Sequence, residues 1–250
     1  MISLKVKSDY SRLPKEVRDE ISLESYNLVV EAGFQDRESR DELRKITRNL
    51  VRYVFKNKVK NLLLLDEAAR PAALAFVREW RKEYPSEKRP DIYFMAPEVR
   101  QDAGASIGRS ERALQDTRIA GGFNPEEFRN RYKRLIGNKN QPTLVFDVCS
   151  HTGKTINQTH SLLEKEGFSS LKIGLVYEEL GKKEYALTSK RKADFVASKD
   201  FDRSRCHPFG RDYAVKKGKS YVSESMQSKG AIKRSRDLRE AISLVLDYDF

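Results

Sequence analysis

The chain is short of the residues on which several specialised chemistries depend. Its 250 residues include only two cysteines, Cys149 and Cys206, and neither sits in a Cys-x-x-Cys pair or a Cys/His cluster with zinc spacing. Reduced thiols are the expectation. The three histidines, His151, His160 and His207, are too scattered for a metal site. His160 reads as a structural helix residue, and His207, beside Cys206 and Pro208, as part of a turn. No Gly-x-Ser-x-Gly elbow and no Ser/His/Asp set occurs, which disfavours a hydrolase. No apolar run approaches the length needed to span a bilayer, so a membrane protein is not expected. The start of the chain, Met1-Ile-Ser-Leu-Lys-Val6, lacks a basic segment, an apolar stretch and a small-residue cleavage site in succession. The protein is therefore expected in the cytoplasm.

What the chain has in quantity is charge: 34% of residues are charged, and the formal net charge is +12. A field of that sign attracts phosphates, whether of nucleotides or of nucleic acid, and charge alone does not choose between them. The cations are spread along the chain rather than gathered in one tail, which weakens the case for a dedicated nucleic-acid arm. The length suits one generous α/β domain with appendages, or two small domains. No internal repeat or low-complexity tract is present.

The periodicities arrange themselves as strand and helix in alternation. Ile2–Val6 reads as a short strand. From Tyr10 to Asn57 the pattern is helical, with Leu43, Ile46, Leu50, Val54 and Phe55 forming an apolar stripe. Val59–Asp66 is a nearly continuous apolar run ending in an acid, the pattern of a strand buried on both faces of a parallel sheet. Pro71–Tyr84 is helical and Asp91–Met95 a strand, which closes a right-handed strand-helix-strand unit. Residues 96–123 form a long connection rich in Gly, Ala, Ser, Arg and Gln, either a lid or a surface excursion. A helix with a capping Asn124 and Pro125 in its first turn runs to Ile136, where Gly137 stops it. Thr143–Asp147 is a strand, Lys154–Glu166 a helix and Leu171–Tyr177 a strand. Beyond Glu178 lie a basic region with a short apolar piece at Ala193–Ala197, then an amphipathic helix at Ile232–Tyr248.

Between the strand ending at Asp147 and the helix beginning at Lys154 stands Val148-Cys-Ser-His-Thr-Gly-Lys-Thr155. Unpaired backbone N–H groups and the positive end of the helix dipole meet there, a ready site for a phosphate dianion. Gly153 lets the backbone approach the ligand; Ser150, Thr152 and Thr155 supply hydroxyls and Lys154 a charge. A Walker loop requires glycine where Val148 stands. An ordinary capped helix after a strand is the plain alternative.

The segment resembles the phosphoribosyl-diphosphate motif of the type I phosphoribosyltransferases: an apolar strand, two adjacent acids, a short variable stretch, then Thr-Gly-Lys-Thr or a close relative. Asp147 holds the first acidic place and His151-Thr-Gly-Lys-Thr155 the phosphate loop. The resemblance implies that Ser150, His151, Thr152, Gly153, Lys154 and Thr155 hold a 5-phosphate. It implies that Asp147 holds ribose hydroxyls and acts in catalysis, with magnesium close by. The departure is Val148, which replaces the second acid and puts ribose gripping, and hence turnover, in question. Upstream, Leu65-Asp66-Glu67-Ala68-Ala69-Arg70 is similar to the family's diphosphate loop. Asp66, Glu67 and Ala68 would face the diphosphate and Arg70 would pair with it as it leaves, or Asp66 and Arg70 would simply cap and solvate a helix. Downstream, Phe195 and Val196, with Phe209 and Asp212, are similar to the segment that shapes the base pocket, or form a plain strand and turn. Arg100, Arg109, Arg112 and Arg118 would belong to a closing lid.

The implied fold is α/β, a Rossmann-like parallel sheet of phosphoribosyltransferase type in residues 58–225, with a helical lead-in at 1–57 and a C-terminal helix at 226–250. The implied function is binding of phosphoribosyl diphosphate or a ribose-5-phosphate nucleotide, with transfer of the phosphoribosyl group to a nitrogen acceptor. A non-catalytic nucleotide-binding regulator of the same fold, favoured by Val148, and a basic RNA- or DNA-binding module are the alternatives. The sequence leaves room for a homo-oligomer.

Overall fold

The computed structural model describes residues 3–34, 36–65, 69–95, 125–150, 154–178, 193–198, 214–217, 220–223 and 229–249. They group into two compact units. One comprises the chain up to Arg52, Arg70–Glu87 and the chain from Asp200; the other comprises Tyr53–Ala69 and Lys88–Lys199.

The first unit is helical. Its opening corrects the expectation of a strand at Ile2–Val6, because Leu4–Ser11 is helix α1. Ser3 accepts a hydrogen bond from the Val6 amide at 3.2 Å, capping the first turn. Val6 and Tyr10, four apart, then share one face of α1 and pack in a cluster with Leu13, Ile21 and Tyr26. The helical stretch expected from Tyr10 to Asn57 is broken into α2 (Lys15–Glu20), α3 (Leu23–Glu31) and α4 (Arg37–Lys56). Each break has a local cause. Pro14 precedes α2, and Ser22 caps α3 by accepting from the Ser25 amide. Gly33, at φ 85°, ends α3 in a left-handed turn closed by Phe34 N–H to the Val29 carbonyl at 3.0 Å. Along α4 Leu43, Ile46, Leu50 and Val54 are buried as expected, but Phe55 is 40% exposed. It lies about a hundred degrees around the helix from Val54, and Val51 completes the buried stripe instead.

Helix α5 (Ala69–Glu83) belongs to this unit from Arg70 onward and answers α4 with charge: Arg48 meets buried Glu79 at 2.9 Å and Arg52 meets Glu83 at 3.1 Å. The last helix of the chain, Lys229–Asp247, ends among cations. Arg44 donates to the Val245 and Tyr248 carbonyls, and Arg78 and Lys82 pair with Asp247. Cations at a helix C-terminus complement its dipole and its unpaired carbonyls.

The second unit is a five-stranded sheet, all parallel: β1 (Asn61–Leu65), β2 (Asp91–Met95), β3 (Thr143–Ser150), β4 (Leu171–Glu178) and β5 (Phe195–Ser198), in the order β2-β1-β3-β4-β5. Every residue of β1 is buried, as its apolar run requires. One face packs on α6 (Pro125–Arg131), α7 (Lys133–Gly137) and α8 (Lys154–Lys165): Leu63, Leu65, Val145, Ile173 and Leu175 meet Phe128, Leu135, Ile156 and Leu163. The helix expected to run unbroken to Ile136 divides at Tyr132, which leaves helical geometry while its hydroxyl donates to the Phe94 carbonyl at 2.8 Å. Residues 96–123 lie outside the described residues.

On the opposite face Gly174 makes room for large neighbours. A methyl group there would stand 3.0 Å from Phe146 and 3.1 Å from Leu144. Phe195 fills the adjoining space and stacks on Tyr53, with ring centroids 4.5 Å apart. Burial, with Asp194 adding, pushes the Tyr53 phenol up to about 12.

Two elements absent from the sequence reading, β6 (Ala214–Lys217) and β7 (Ser220–Ser223), pair antiparallel as a separate ribbon. The helix after them becomes α9.

Gly174→Ala is expected to lower stability by roughly 1–3 kcal/mol, because the added methyl overpacks a filled core; urea unfolding reads this directly. The raised phenol of Tyr53 favours its neutral form in the folded state. Its contribution is therefore complete below the unfolded value near 10 and is lost as pH rises toward about 12. The urea midpoint of Tyr53→Phe should fall less between pH 9 and 11 than that of the parent.

Candidate functional site

The strand order decides where a ligand would sit. From β1 the chain moves to β2 on one side of the sheet, and from β3 it moves to β4 and β5 on the other. The order reverses between β1 and β3, and in open α/β sheets the crevice outside the carboxyl ends at such a point is the usual ligand site. These two strands are direct neighbours, in register from Asn61↔Thr143 to Leu64↔Phe146.

Both strands end in the same manner. Three residues separate Leu65 from the start of α5 at Ala69, and three separate Ser150 from the start of α8 at Lys154. A helix start carries unpaired N–H donors and the positive end of the dipole. The first turns of α5 and α8 contain no acid of their own.

Asp147 is the carboxylate that β3 brings to this edge. It stands one step beyond the Leu64↔Phe146 pair and is half-buried. Its Oδ1 accepts from the Val148 amide at 2.7 Å. Alternation along the strand puts Asp147 on the same face as Val145 and Val148 on the face of Leu144 and Phe146. Val148 is only 4% exposed. The position at which the phosphoribosyltransferase motif has its second acid is thus a core position in this chain.

The other expected residues divide into those the structure places and those outside it. Ser150 closes β3, while Lys154 and Thr155 open α8. Arg70 is exposed in the first turn of α5. Phe195 and Val196 are half-buried on β5. Phe195 pairs with Gly174 and stacks on Tyr53, which puts it on the face opposite Asp147; Val196, paired with Leu175, is on the same face as Asp147. Asp66, Glu67, Ala68, His151, Thr152, Gly153, Phe209 and Asp212 lie outside the described residues. His160, on α8, has Nδ1 3.5 Å from Glu164.

Two residues that the sequence reading did not single out stand at the same edge. Tyr177 and Ser198 are register partners near the carboxyl ends of β4 and β5, on the face of Asp147, and both are buried. A tyrosine and a serine near the ends of these strands are the signal the sequence offers for them. Among the described residues no three His, Cys, Asp or Glu side chains converge as a metal cluster. Nor is any described helix long and apolar enough to cross a membrane.

No protein-family model matches the chain, and no curated protein matches it in sequence. In structure it is similar to a hypoxanthine phosphoribosyltransferase from Staphylococcus aureus, with 14% identity over 65% of this chain and 76% of that one and a TM-score of 0.41. It is similar also to a purine phosphoribosyltransferase from Pyrococcus horikoshii, with 13% identity over 62% and 80% and a TM-score of 0.36. A hypoxanthine phosphoribosyltransferase from Trypanosoma cruzi matches with 10% identity over 63% and 74% and a TM-score of 0.37.

Val148→Asp, which recreates the paired acids of the motif, is expected to destabilise the protein by several kcal/mol, on the order of 3, because it buries an unpaired carboxylate. Denaturant unfolding at pH 7 and pH 4 tests this: the deficit should shrink at the lower pH, where the new acid is protonated.

Proposed function

We propose that the chain binds phosphoribosyl diphosphate, or a nucleotide carrying ribose 5-phosphate, at the carboxyl edge between β1 and β3, and transfers the phosphoribosyl group to a nitrogen acceptor. The observation that carries this reading is the reversal of strand order between β1 and β3. It sets Asp147 and the end of β3, which leads into α8, beside the end of β1.

In this reading the amides and hydroxyls from Ser150 to Thr155 hold the 5-phosphate at the start of α8. Asp66, Glu67 and Ala68 supply the backbone facing the diphosphate, and Arg70 offsets its charge as it departs. Asp147 accepts hydrogen bonds from the ribose hydroxyls. The acceptor nitrogen forms a bond to C1 as the bond from C1 to the diphosphate oxygen breaks, and the electron pair leaves with the diphosphate. Holding the two partners in line and stabilising the departing charge carry the rate, so no strong acid-base pair is needed.

One carboxylate with ligand phosphates and water suits magnesium, which keeps several waters and takes few protein ligands. Asp147 would hold the ion, and the bound ion would neutralise diphosphate charge.

A second reading is favoured by Val148. With a core side chain in the second acidic place, the site retains the phosphate grip and loses part of the ribose grip, which suits a nucleotide-binding regulator without turnover. Val196, half-buried on the face of Asp147, is the described position nearest to where a base would be recognised in either reading, with buried Tyr177 and Ser198 beside it as support.

Titration calorimetry with phosphoribosyl diphosphate and magnesium should give saturable binding that Gly153→Asp weakens at least tenfold, about 1.4 kcal/mol. Release of diphosphate across a panel of nucleobases then separates the readings: release that Asp147→Asn abolishes supports the transferase, and binding without release supports the regulator. Absence of affinity for every ribose phosphate would overturn both.

A further inference from the structure

We propose that the amino edge of the parallel sheet, where the chain enters β1, β2 and β3, grips the phosphate backbone of double-stranded nucleic acid. This goes beyond the ribose-phosphate reading, whose residues lie toward the opposite edge of the same sheet.

Because the five strands are parallel, the segments that lead into them meet along one edge. The order β2-β1-β3 makes three of these segments neighbours, and hydrogen bonds join them. The Lys60 amide donates to the Pro142 carbonyl at 2.8 Å, the Asp91 amide to the Lys60 carbonyl at 2.9 Å, and the Asn61 side chain to the Asn138 carbonyl at 3.3 Å. Segments 56–60, 88–90 and 137–142 contain Lys56, Lys58, Lys60, Lys88, Arg89 and Lys139 and no acid. Five of these cations are exposed, and Lys139 is half-buried beside Gly167, in the segment before β4.

The acids around this edge are largely engaged elsewhere. Asp91 pairs with Arg134 at 2.9 Å and Glu166 with Arg129 at 2.7 Å, which leaves Glu87, next to Lys88 in the chain. Among the described residues, none of the six cations is held in an ion pair. Clustered like charges repel one another, and a polyanion offsets that repulsion while shedding its own condensed counterions.

Lys58 bears an independent mark. Helices α3, α4 and α8 end in the same turn, in which a residue at positive φ precedes one whose N–H returns to a carbonyl five residues back. These returns run from Phe34 to Val29 at 3.0 Å, Val59 to Val54 at 3.1 Å and Phe168 to Leu163 at 3.0 Å. At α3 and α8 the residue at positive φ is glycine, Gly33 and Gly167, each at 85°; at α4 it is Lys58, at 51°. A side chain is sterically disfavoured in that conformation, and glycine relieves it. Folding alone therefore favours glycine at position 58, and a charge that meets a partner outside the protein accounts for the lysine.

The neighbours of the cations choose among polyanions. Val59 and Pro90 are buried, so these segments have no large apolar side chain to place in a bilayer. They hold no aromatic residue either, so an unstacked base finds no ring among them. Exposed Asn140 and Gln141 add neutral donors of the kind that contact phosphate oxygens. A rigid row of cations and amides suits a duplex, whose stiff backbone carries one charge per about 1.7 Å of axis.

The test is fluorescence anisotropy of the full chain with a labelled mixed-sequence 20-base-pair duplex, one of its single strands and phosphatidylserine vesicles, across a salt series. The duplex should bind most tightly. Lys58→Glu/Lys60→Glu/Lys88→Glu should weaken it at least tenfold and reduce the slope of log affinity against log salt by about 2.7, near 0.9 for each phosphate left without its cation. The same three positions changed to Gln, checked by circular dichroism, replace that variant if it does not fold. Lys58→Gly should move two readouts in opposite directions, raising the urea midpoint while weakening duplex binding severalfold. Phe55→Ala, which removes the exposed ring nearest to Lys56 in the chain, should leave the affinity unchanged. Reversal of exposed Lys5, Lys15 and Lys45 to Glu should retain it, as should Gly153→Asp. Absence of duplex binding, full affinity in the edge variants, equal loss in the control reversal, or tighter binding of the single strand or of vesicles would overturn the proposal.

Discussion

The parallel pairing of β1 with β3 is the constraint from which the arrangement of the site follows. Four register pairs, Asn61↔Thr143 through Leu64↔Phe146, join segments more than eighty residues apart. The pairing is anchored at its amino end. The amides of Lys60 and Asn61 donate to the Pro142 carbonyl, and the Asn61 side chain donates to Thr143 Oγ1 at 3.1 Å within a buried environment. Because β2 already occupies the other side of β1, this join reverses the strand order, and the ends of β1 and β3 become neighbours. Without it, the ends of β1 and β3 would have no reason to share an edge.

Alternation along β3 then divides the two positions that the phosphoribosyltransferase motif treats as a pair. Asp147 remains at the half-buried edge on the α8 face, while Val148 goes into the core beside Leu144 and Phe146. The same alternation separates Phe195 from Val196 on β5. It commits Phe195 to the stack on Tyr53, over a glycine that Phe146 and Leu144 crowd to about 3 Å. Both faces of the sheet are closely packed, and the α8 face carries Asp147, Tyr177, Val196 and Ser198 toward its carboxyl edge. The aromatic on β5 that looks most like a base-stacking residue in the sequence is used for the core.

The helical unit is organised by a different balance. Besides its buried apolar residues, among them Leu43, Ile46, Phe76 and Ile242, it uses paired charges: Arg48 with Glu79, Arg52 with Glu83, and Arg44, Arg78 and Lys82 around the end of α9. A chain so rich in lysine and arginine can neutralise some of them internally in this way.

Strand and helix identities in the sheet were legible in the sequence because burial on both faces of a parallel sheet demands short apolar runs, as at Asn61–Leu65 and Thr143–Phe146, and no neighbour can substitute for that. The helix breaks at Pro14, Ser22 and Gly33 are equally local in origin, though a continuous apolar periodicity hid them. The Asp147 to Thr155 segment could be nominated from the sequence because a phosphate loop, as proposed for it, would draw its donors from one continuous stretch of backbone. Strand order, the face taken by Phe195, the recruitment of Tyr177 and Ser198 and the exposure of Phe55 were decided only by the tertiary structure. Each depends on partners far away in the chain, or on how an element is rotated against its neighbours, and periodicity reports a residue's spacing without naming what it faces.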